Sequence, residues 1–146
     1  MQATTWCGSK RREGDARLRS VLMAGWLLGV CLTVAMGLIH LRVWLDGYRE
    51  LPIIGPLFIL NAICSGVLAT ALLTAPARLR APVAIVTALF TAGTLMGLIL
   101  SLTVGLFGMH EVVQAPFVVT TLVVETAGVV VLLLIAALHH RRQGHR

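Results

Sequence analysis

Four long apolar stretches, separated by short polar or proline-containing segments, dominate the hydropathy pattern of this chain. They run over about residues 21–45, 56–75, 82–106 and 116–138. Each is long enough for the ~20 residues with which an α-helix crosses the hydrocarbon core of a bilayer. The pattern predicts an all-α protein, a four-helix transmembrane bundle. Because the connections are short, helices that are neighbours in sequence are expected to run antiparallel.

The segments outside this membrane domain of residues 20–138 are polar and basic. Residues 1–19 are predicted to be a loose tail, and residues 139–146 to be a second basic tail. Ser20 is expected to cap the first helix. The other three helices are each expected to have proline at the first helical position, where a missing N–H costs nothing. These prolines are Pro56, Pro82 and Pro116.

Small residues recur at every fourth position in the first three stretches. Small side chains at this spacing line one face of a helix and allow another helix to approach closely. They are therefore predicted to be packing faces, and the pattern leaves open whether the partner helix belongs to the same chain or to another. The three stripes are Gly25, Gly29, Thr33 and Gly37; Ala62, Gly66, Thr70 and Thr74; and Gly93, Gly97, Ser101 and Gly105.

Composition supports a membrane environment and excludes several other classes of protein. The chain is 58% hydrophobic and 12% charged, whereas soluble proteins carry about 25% charged residues. The net charge of +6 comes from short basic clusters at the ends of the apolar stretches. No aromatic residues interleave with these clusters, so we expect contact with anionic lipid headgroups and no binding of nucleic acid. Three widely spaced cysteines without a C-x-x-C motif indicate neither a zinc site nor a redox pair.

The distribution of lysine and arginine predicts the orientation. The two tails and the second connection carry ten of these residues. The first connection carries Arg49, and the third carries none. Basic residues are retained on the cytoplasmic side of a membrane. Both termini are therefore predicted to be cytoplasmic, in a multi-pass membrane protein.

Three polar residues inside the spans form a predicted intramembrane locus: His40, Asn61 and Glu125. The topology places all three in the outer half of the bilayer, where they could meet. A carboxylate deep in a span costs roughly 2.5–3.5 kcal/mol to insert, so Glu125 should be protonated or paired. It could be a proton carrier, a cation ligand or a substrate anchor. Alternatively, it could join helices through hydrogen bonds to His40, Asn61 or Thr121.

The first and third connections carry a second group of polar residues, predicted to lie on the outer face. This outer-face loop cluster could bind a partner or a lipid headgroup, or it could simply be a solvated surface. Its members are Asp46, Tyr48, Arg49, Glu50, His110 and Glu111.

No catalytic motif is present in the sequence, and we expect no resident cofactor or metal. Haem held between helices usually needs two facing histidines, and His110, the only candidate partner for His40 on that side, is predicted to lie in a turn. A copper site would have suitable soft ligands but no compact motif. Its candidate ligands are Met36, His40, Met109 and His110.

Several segments carry a resemblance to a known group of proteins. They are HLRVW (residues 40–44), GYRELPIIGPLFILN (47–61), SLTVGLFG (101–108) and VVE (123–125). In these segments the chain resembles small four-span membrane proteins of high-GC actinobacteria, over roughly residues 20–138. The resemblance implies the same topology and a bacterial plasma-membrane location, and it assigns no activity or catalytic residue.

Three functional hypotheses follow from the sequence. The first is a non-enzymatic accessory or scaffolding subunit that contacts the bilayer and another membrane protein or a second copy of itself. The second is a small proton-linked transporter or sensor that uses Glu125 with His40 and Asn61. The third is a haem- or quinone-binding redox protein with its site near His40.

Overall fold

The computed structural model describes residues 3–108 and 111–144, and it is all-helical. Four of its helices are long and apolar enough to cross a membrane, which confirms the predicted architecture. The helices are α1 (Ala3–Leu45), α2 (Ile54–Thr74), α3 (Arg80–Thr103) and α4 (Val118–Gly144), with short 3-10 turns at Tyr48–Glu50 and Ala77–Leu79. The apolar spans are Ala16–Leu45, Ile54–Thr74, Ala77–Thr103 and Val118–Arg141.

Helix α1 packs against both α2 and α4, and α3 packs mainly against α4. Contacts between α1 and α4 run from Gly25 with Ile135 to His40 with Glu125, so these two helices are antiparallel. Helices α2 and α3 share far fewer contacts than the other adjacent pairs. We call the end with the two chain termini the terminal end. The opposite end, where residues 46–53 and 104–117 connect the helices, is the distal end.

The outer helices extend beyond their apolar stretches. Helix α1 begins at Ala3, so the prediction of a loose tail over residues 1–19 is wrong from that residue onward. Ser20 lies inside the helix and its hydroxyl donates to the carbonyl of Ala16 at 3.2 Å, so it is not a cap. No proline interrupts residues 3–45, and hydropathy marks where a chain crosses lipid rather than where its helix ends.

The predicted proline positions also need correction. Pro56 and Pro82 are each the third helical residue rather than the first. This placement costs nothing either, because the first four N–H groups of a helix have no intrahelical acceptor. Pro116 precedes α4, which begins at Val118. Phe117 between them has a φ of 69°, a left-handed conformation that a helix cannot include.

The small-residue stripe of α1 is a packing face, as predicted. A Cβ atom at Gly29 would lie 3.1 Å from Leu132 Cδ2 on α4. A Cβ atom at Gly37 would lie 2.9 Å from Ser65 Cβ on α2. Glycine at these positions therefore allows α1 to approach two helices closely.

The glycines of the stripes predicted on α2 and α3 do not pack against another helix, although Ser101 of the α3 stripe is buried and Ala62 of the α2 stripe lies against α1. A Cβ atom at Gly66 of α2, or at Gly93 or Gly97 of α3, would meet nothing within 4 Å. Apart from Ser101, other residues form the buried faces, so the spacing predicted most of each packing face wrongly. The buried residues are Asn61, Ser65, Ala69 and Leu72, with Gly55, on α2, and Ala81, Ala84, Thr87, Ala88, Thr91 and Ser101 on α3.

Trp26 joins all four helices near the terminal end. Its indole N–H donates to the carbonyl of Leu72 at 3.1 Å. That carbonyl lies in the last turn of α2, and the residue four positions on, Pro76, has no N–H to offer it. The Arg80 guanidinium lies 5.7 Å from the centre of the indole ring, and the His139 ring packs edge-on at 5.6 Å. The indole thus replaces a hydrogen bond that the α2 sequence cannot make.

Candidate functional site

A cavity of about 460 Å³ lies in the distal half of the bundle. Residues of both α2 and α3, which share few contacts, line it, and Gly93 and Gly97 enlarge it because they place no side chain there. Its volume falls in the range of about 300–1,000 Å³ found for small-molecule sites. Apolar side chains supply most of the lining, among them Ile39, Leu57, Phe58, Phe90, Leu98 and Phe117.

A small number of polar groups also line the cavity. Every helix contributes at least one, and the two distal connections add Tyr48 and Glu111. An apolar pocket with a few converging polar groups is typical of ligand sites. The helical contributors are His40, Asn61, Thr94, Ser101 and Thr121.

His40 and Glu125 meet beside this cavity. His40 Nε2 lies 3.8 Å from Glu125 Oε1, beyond hydrogen-bond distance. His40 lines the cavity, whereas Glu125 lies behind it and is only 1% exposed. Neither carboxyl oxygen of Glu125 has a hydrogen-bond partner among the described residues. The alternative interpretation, that Glu125 joins helices through hydrogen bonds to His40, Asn61 or Thr121, is therefore not supported by the geometry.

The neighbouring hydroxyls are occupied elsewhere. Thr121 Oγ1 donates to the carbonyl of Phe117 at 2.8 Å. Thr94 Oγ1 lies 2.9 Å from the carbonyl of Thr91, and 3.7 Å from the sulfur of Met36. Threonine in a helix commonly satisfies its hydroxyl on its own backbone in this way. Both hydroxyls therefore have a backbone acceptor on their own helix, and Thr94 is also near enough to interact with the Glu125 carboxyl.

The tautomer of His40 follows from its other contact. Nδ1 lies 2.9 Å from the carbonyl oxygen of Met36, and a carbonyl can only accept, so Nδ1 carries a hydrogen. The second ring nitrogen, Nε2, faces the Glu125 carboxyl. One further proton on this pair makes it electrically neutral overall, either as imidazole with carboxylic acid or as imidazolium with carboxylate. Without that proton the pair carries one buried negative charge, which is costly in a low-dielectric site.

Asn61 shares the cavity with His40 but is held by its own helix. The Ser65 hydroxyl lies 2.7 Å from the Asn61 carbonyl and 3.1 Å from its side-chain Oδ1. Both residues are buried. Of the three predicted locus residues, the structure therefore pairs His40 with Glu125 and places Asn61 on the cavity wall.

Tyr48 and Glu111 connect the two distal loops over the cavity. The Tyr48 hydroxyl donates to Glu111 Oε1, and both residues line the cavity. Burial raises the pKa of Tyr48 to about 12, with further contributions from the hydrogen bond to Glu111 and from its negative charge. A neutral phenol is therefore the stable form at this position.

The rest of the predicted outer-face loop cluster does not converge. Asp46 pairs with Arg42 one turn earlier in the chain, with Arg42 Nε 3.1 Å from Asp46 Oδ2, and both side chains are largely exposed. Arg49 and Glu50 are exposed. His110 lies outside the described residues. Within the part of the cluster that the structure describes, only Tyr48 and Glu111 contact each other.

Sequence reasoning missed the aromatic side of the site. The Phe58 ring lies 5.3 Å from that of His40 and 5.1 Å from that of Tyr48, measured between ring centres. Phe58 precedes Asn61 by three residues, so a helical register places both on one face. That spacing could have indicated Phe58, and Phe90 on α3 likewise precedes the cavity-lining Thr94 by four residues.

The chain matches no protein-family model, no curated protein and no solved structure. Function is therefore inferred from the chemistry of the cavity and of the His40–Glu125 pair.

Proposed function

We propose that this protein is a small proton-linked transporter or sensor of a bacterial plasma membrane. In this proposal the His40–Glu125 pair gains and loses a proton as a ligand occupies the distal cavity. The observation that carries it is the Glu125 carboxyl, which is 1% exposed, has no hydrogen-bond partner among the described residues and lies beside a cavity-lining histidine.

The energetics favour a functional role for Glu125 over a structural one. A buried polar group without a hydrogen bond costs about 1–3 kcal/mol, and ionisable groups within membrane spans generally mark ligand sites or proton pathways. A purely structural glutamate would be expected to hydrogen-bond a neighbouring helix. The position of His40 Nε2 next to a carboxyl, rather than a second imidazole, also favours proton exchange over haem ligation.

The proposed orientation has both termini in the cytoplasm, and the basic flanks of the terminal end support it. Arg78 and Arg80 lie at this end, as do the described residues of the two tails, and basic residues favour the cytoplasmic side. The cavity then lies in the outer half of the bilayer, and the Tyr48–Glu111 contact lies toward the exterior. A proton leaving the pair would have a short path to the outside.

Infrared difference spectroscopy of the reconstituted protein tests this proposal. Spectra recorded at mildly acidic and mildly alkaline pH should show a buried carboxyl or carboxylate band that changes with pH. The change should be absent in Glu125→Gln and retained in Glu111→Gln, the matched control at the cavity mouth. A wild-type spectrum in which no pH-dependent band depends on Glu125 would refute the proposal.

A second candidate function, an accessory or scaffolding subunit, has its own supporting observation. Gly66 and Thr70 of the α2 stripe are exposed, and a Cβ atom at Gly66 would meet nothing within 4 Å. Such a stripe can accept a helix from a second copy or from another membrane protein. For a second copy, a cysteine at Val67 in a background without the native cysteines should form a crosslinked dimer that Gly66→Leu abolishes. Failure to crosslink in membranes would exclude self-association through this face.

A further inference from the structure

We infer that the ligand of the distal cavity is an amphiphilic amine, an apolar molecule with one protonated nitrogen, which enters sideways from the bilayer between α2 and α3. This inference rests on the proposed function and specifies its ligand. It combines three features of the site: the charge around the cavity, its aromatic lining and the open contact between two helices.

The charges around the cavity favour a cation. Its titratable groups among the described residues are His40 from α1, Tyr48 from the first connection and Glu111 from the third, with Glu125 of α4 behind His40. No lysine or arginine lines it within the described part of the chain. Two of these four groups are carboxyls, which can balance a positive ligand. Helices α2 and α3 contribute only groups that do not titrate: Asn61, Thr94 and Ser101.

The cavity walls suit an apolar body that carries this charge. Phe58, Phe90 and Phe117 line the cavity together with Tyr48. Aromatic faces attract a cation within about 6 Å, and the attraction is stronger in a desolvated site. A volume of about 460 Å³ accommodates a drug-sized molecule rather than a bare metal ion.

The route from the bilayer follows from the weak contact between α2 and α3. Leu60 of α2 and Leu89 of α3 both line the cavity, yet they are 54% and 66% exposed. Gly93, one turn after Leu89 on α3, also lines the cavity and adds no side chain there. These residues lie within membrane-spanning segments, so the opening faces lipid. An amphiphile dissolved in the bilayer could enter there without crossing the Tyr48–Glu111 contact.

The proton balance of binding is simple. Before binding, the His40–Glu125 pair holds one exchangeable proton. The ligand ammonium donates an N–H to His40 Nε2 of the cavity lining, and the Glu125 carboxylate, whose Oε1 lies 3.8 Å from that nitrogen, balances the positive charge. The proton that the pair held leaves to water. One proton is released for each amine bound, and the charge of the site does not change.

Binding of dansylcadaverine, a fluorescent aromatic primary amine, tests this inference. The wild-type chain in lipid nanodiscs should bind the amine about tenfold more tightly than its N-acetylated, uncharged derivative, because charge-assisted hydrogen bonds are worth a factor of that order. Affinity for the amine should rise with pH by up to about tenfold per unit while the pair is protonated. Glu125→Gln should remove the preference for the amine and the pH dependence. Empty nanodiscs correct for partition into lipid.

Two matched glycine variants test the route. Gly93→Leu places a side chain in the gap between α2 and α3 and should weaken amine binding by about tenfold. Gly66→Leu makes the same change on α2 at a position that does not line the cavity, and it should leave binding unchanged. A Cβ atom at either glycine meets nothing within 4 Å, so neither variant is expected to disturb the fold.

The outcomes separate this inference from the proposed function. Equal binding of the amine and its acetylated derivative, or no binding of either, would overturn the assignment of an amine. Equal effects of Gly93→Leu and Gly66→Leu would overturn the route between α2 and α3. Neither result affects the infrared test, in which a wild-type spectrum without any Glu125-dependent band would overturn the proposed function itself.

Discussion

A Cβ atom at Gly37 would lie 2.9 Å from Cβ of Ser65, so α1 and α2 approach at this point more closely than any residue with a side chain would allow. His40 follows Gly37 by three residues, and Asn61 precedes Ser65 by four. The point of close approach therefore lies next to the cavity. It sets the distance between α1 and α2 where His40 and Asn61 line the cavity wall.

Gly37→Ala should destabilise the bundle by about 1–3 kcal/mol, the usual cost of adding a methyl group to a packed interface. Gly66→Ala is the matched control, because the added methyl meets nothing within 4 Å and alanine favours helix by about 0.5–1 kcal/mol over glycine. Unfolding by sodium dodecyl sulfate in mixed micelles measures both. Equal stabilities for the two variants would contradict the packing described for α1 and α2.

Glu125→Met should stabilise the protein by about 1–3 kcal/mol, because it replaces a buried carboxyl that has no hydrogen-bond partner with an apolar side chain of similar size. The same variant should abolish the pH-dependent infrared change. A fold that loses stability when Glu125 is replaced would show that the carboxyl is a structural contact, contrary to the proposed function.

Trp26→Phe should cost about 1 kcal/mol, since it keeps an aromatic ring but removes the N–H that donates to the Leu72 carbonyl. Pro76 stands four residues after Leu72, the position whose backbone N–H would donate to the Leu72 carbonyl in a continuing helix. Pro76→Ala restores an N–H there, so the cost of Trp26→Phe should shrink in the double variant. If the two substitutions are simply additive, the indole does not substitute for the missing backbone donor.

Stability should fall as pH rises from Tyr48's usual pKa of 10.0 through its raised value of about 12. The folded state favours the neutral phenol more than the unfolded state does, so the stabilisation is fully present below the lower value and lost through the upper one. Tyr48→Phe should flatten this part of the pH profile of the melting temperature. An equally steep profile in Tyr48→Phe would show that a group other than Tyr48 causes the loss of stability.

Much of the fold could be predicted because lipid imposes a strong compositional constraint. The four apolar stretches gave the four spans, since a backbone in hydrocarbon must satisfy its hydrogen bonds within a helix. Helix ends were predicted less well. Charged residues before Ser20 continue α1 without a break, and the left-handed conformation of Phe117, which delays α4, has no signal in residue type.

Two residues of the site could be predicted, because lipid also restricts which residues a span contains. Ionisable residues are rare in spans, so composition singled out His40 and Glu125, which the structure places 3.8 Å apart. The cavity could not be predicted, because it depends on how few contacts α2 and α3 make with each other. Gly93 and Gly66 have the same spacing signal, yet one borders the cavity and the other faces away from the chain. Residue spacing defines a helix face but not the neighbour that covers it.

The central claim is that His40 and Glu125 share one exchangeable proton, and nitrogen NMR of the protein labelled at histidine tests it most directly. His40→Gln identifies the His40 signals. We predict that Nδ1 keeps its hydrogen throughout the pH range, as its contact with the Met36 carbonyl requires, and that the titration of Nε2 changes when Glu125 is replaced by Gln. An Nε2 titration identical in the wild type and in Glu125→Gln would contradict the claim.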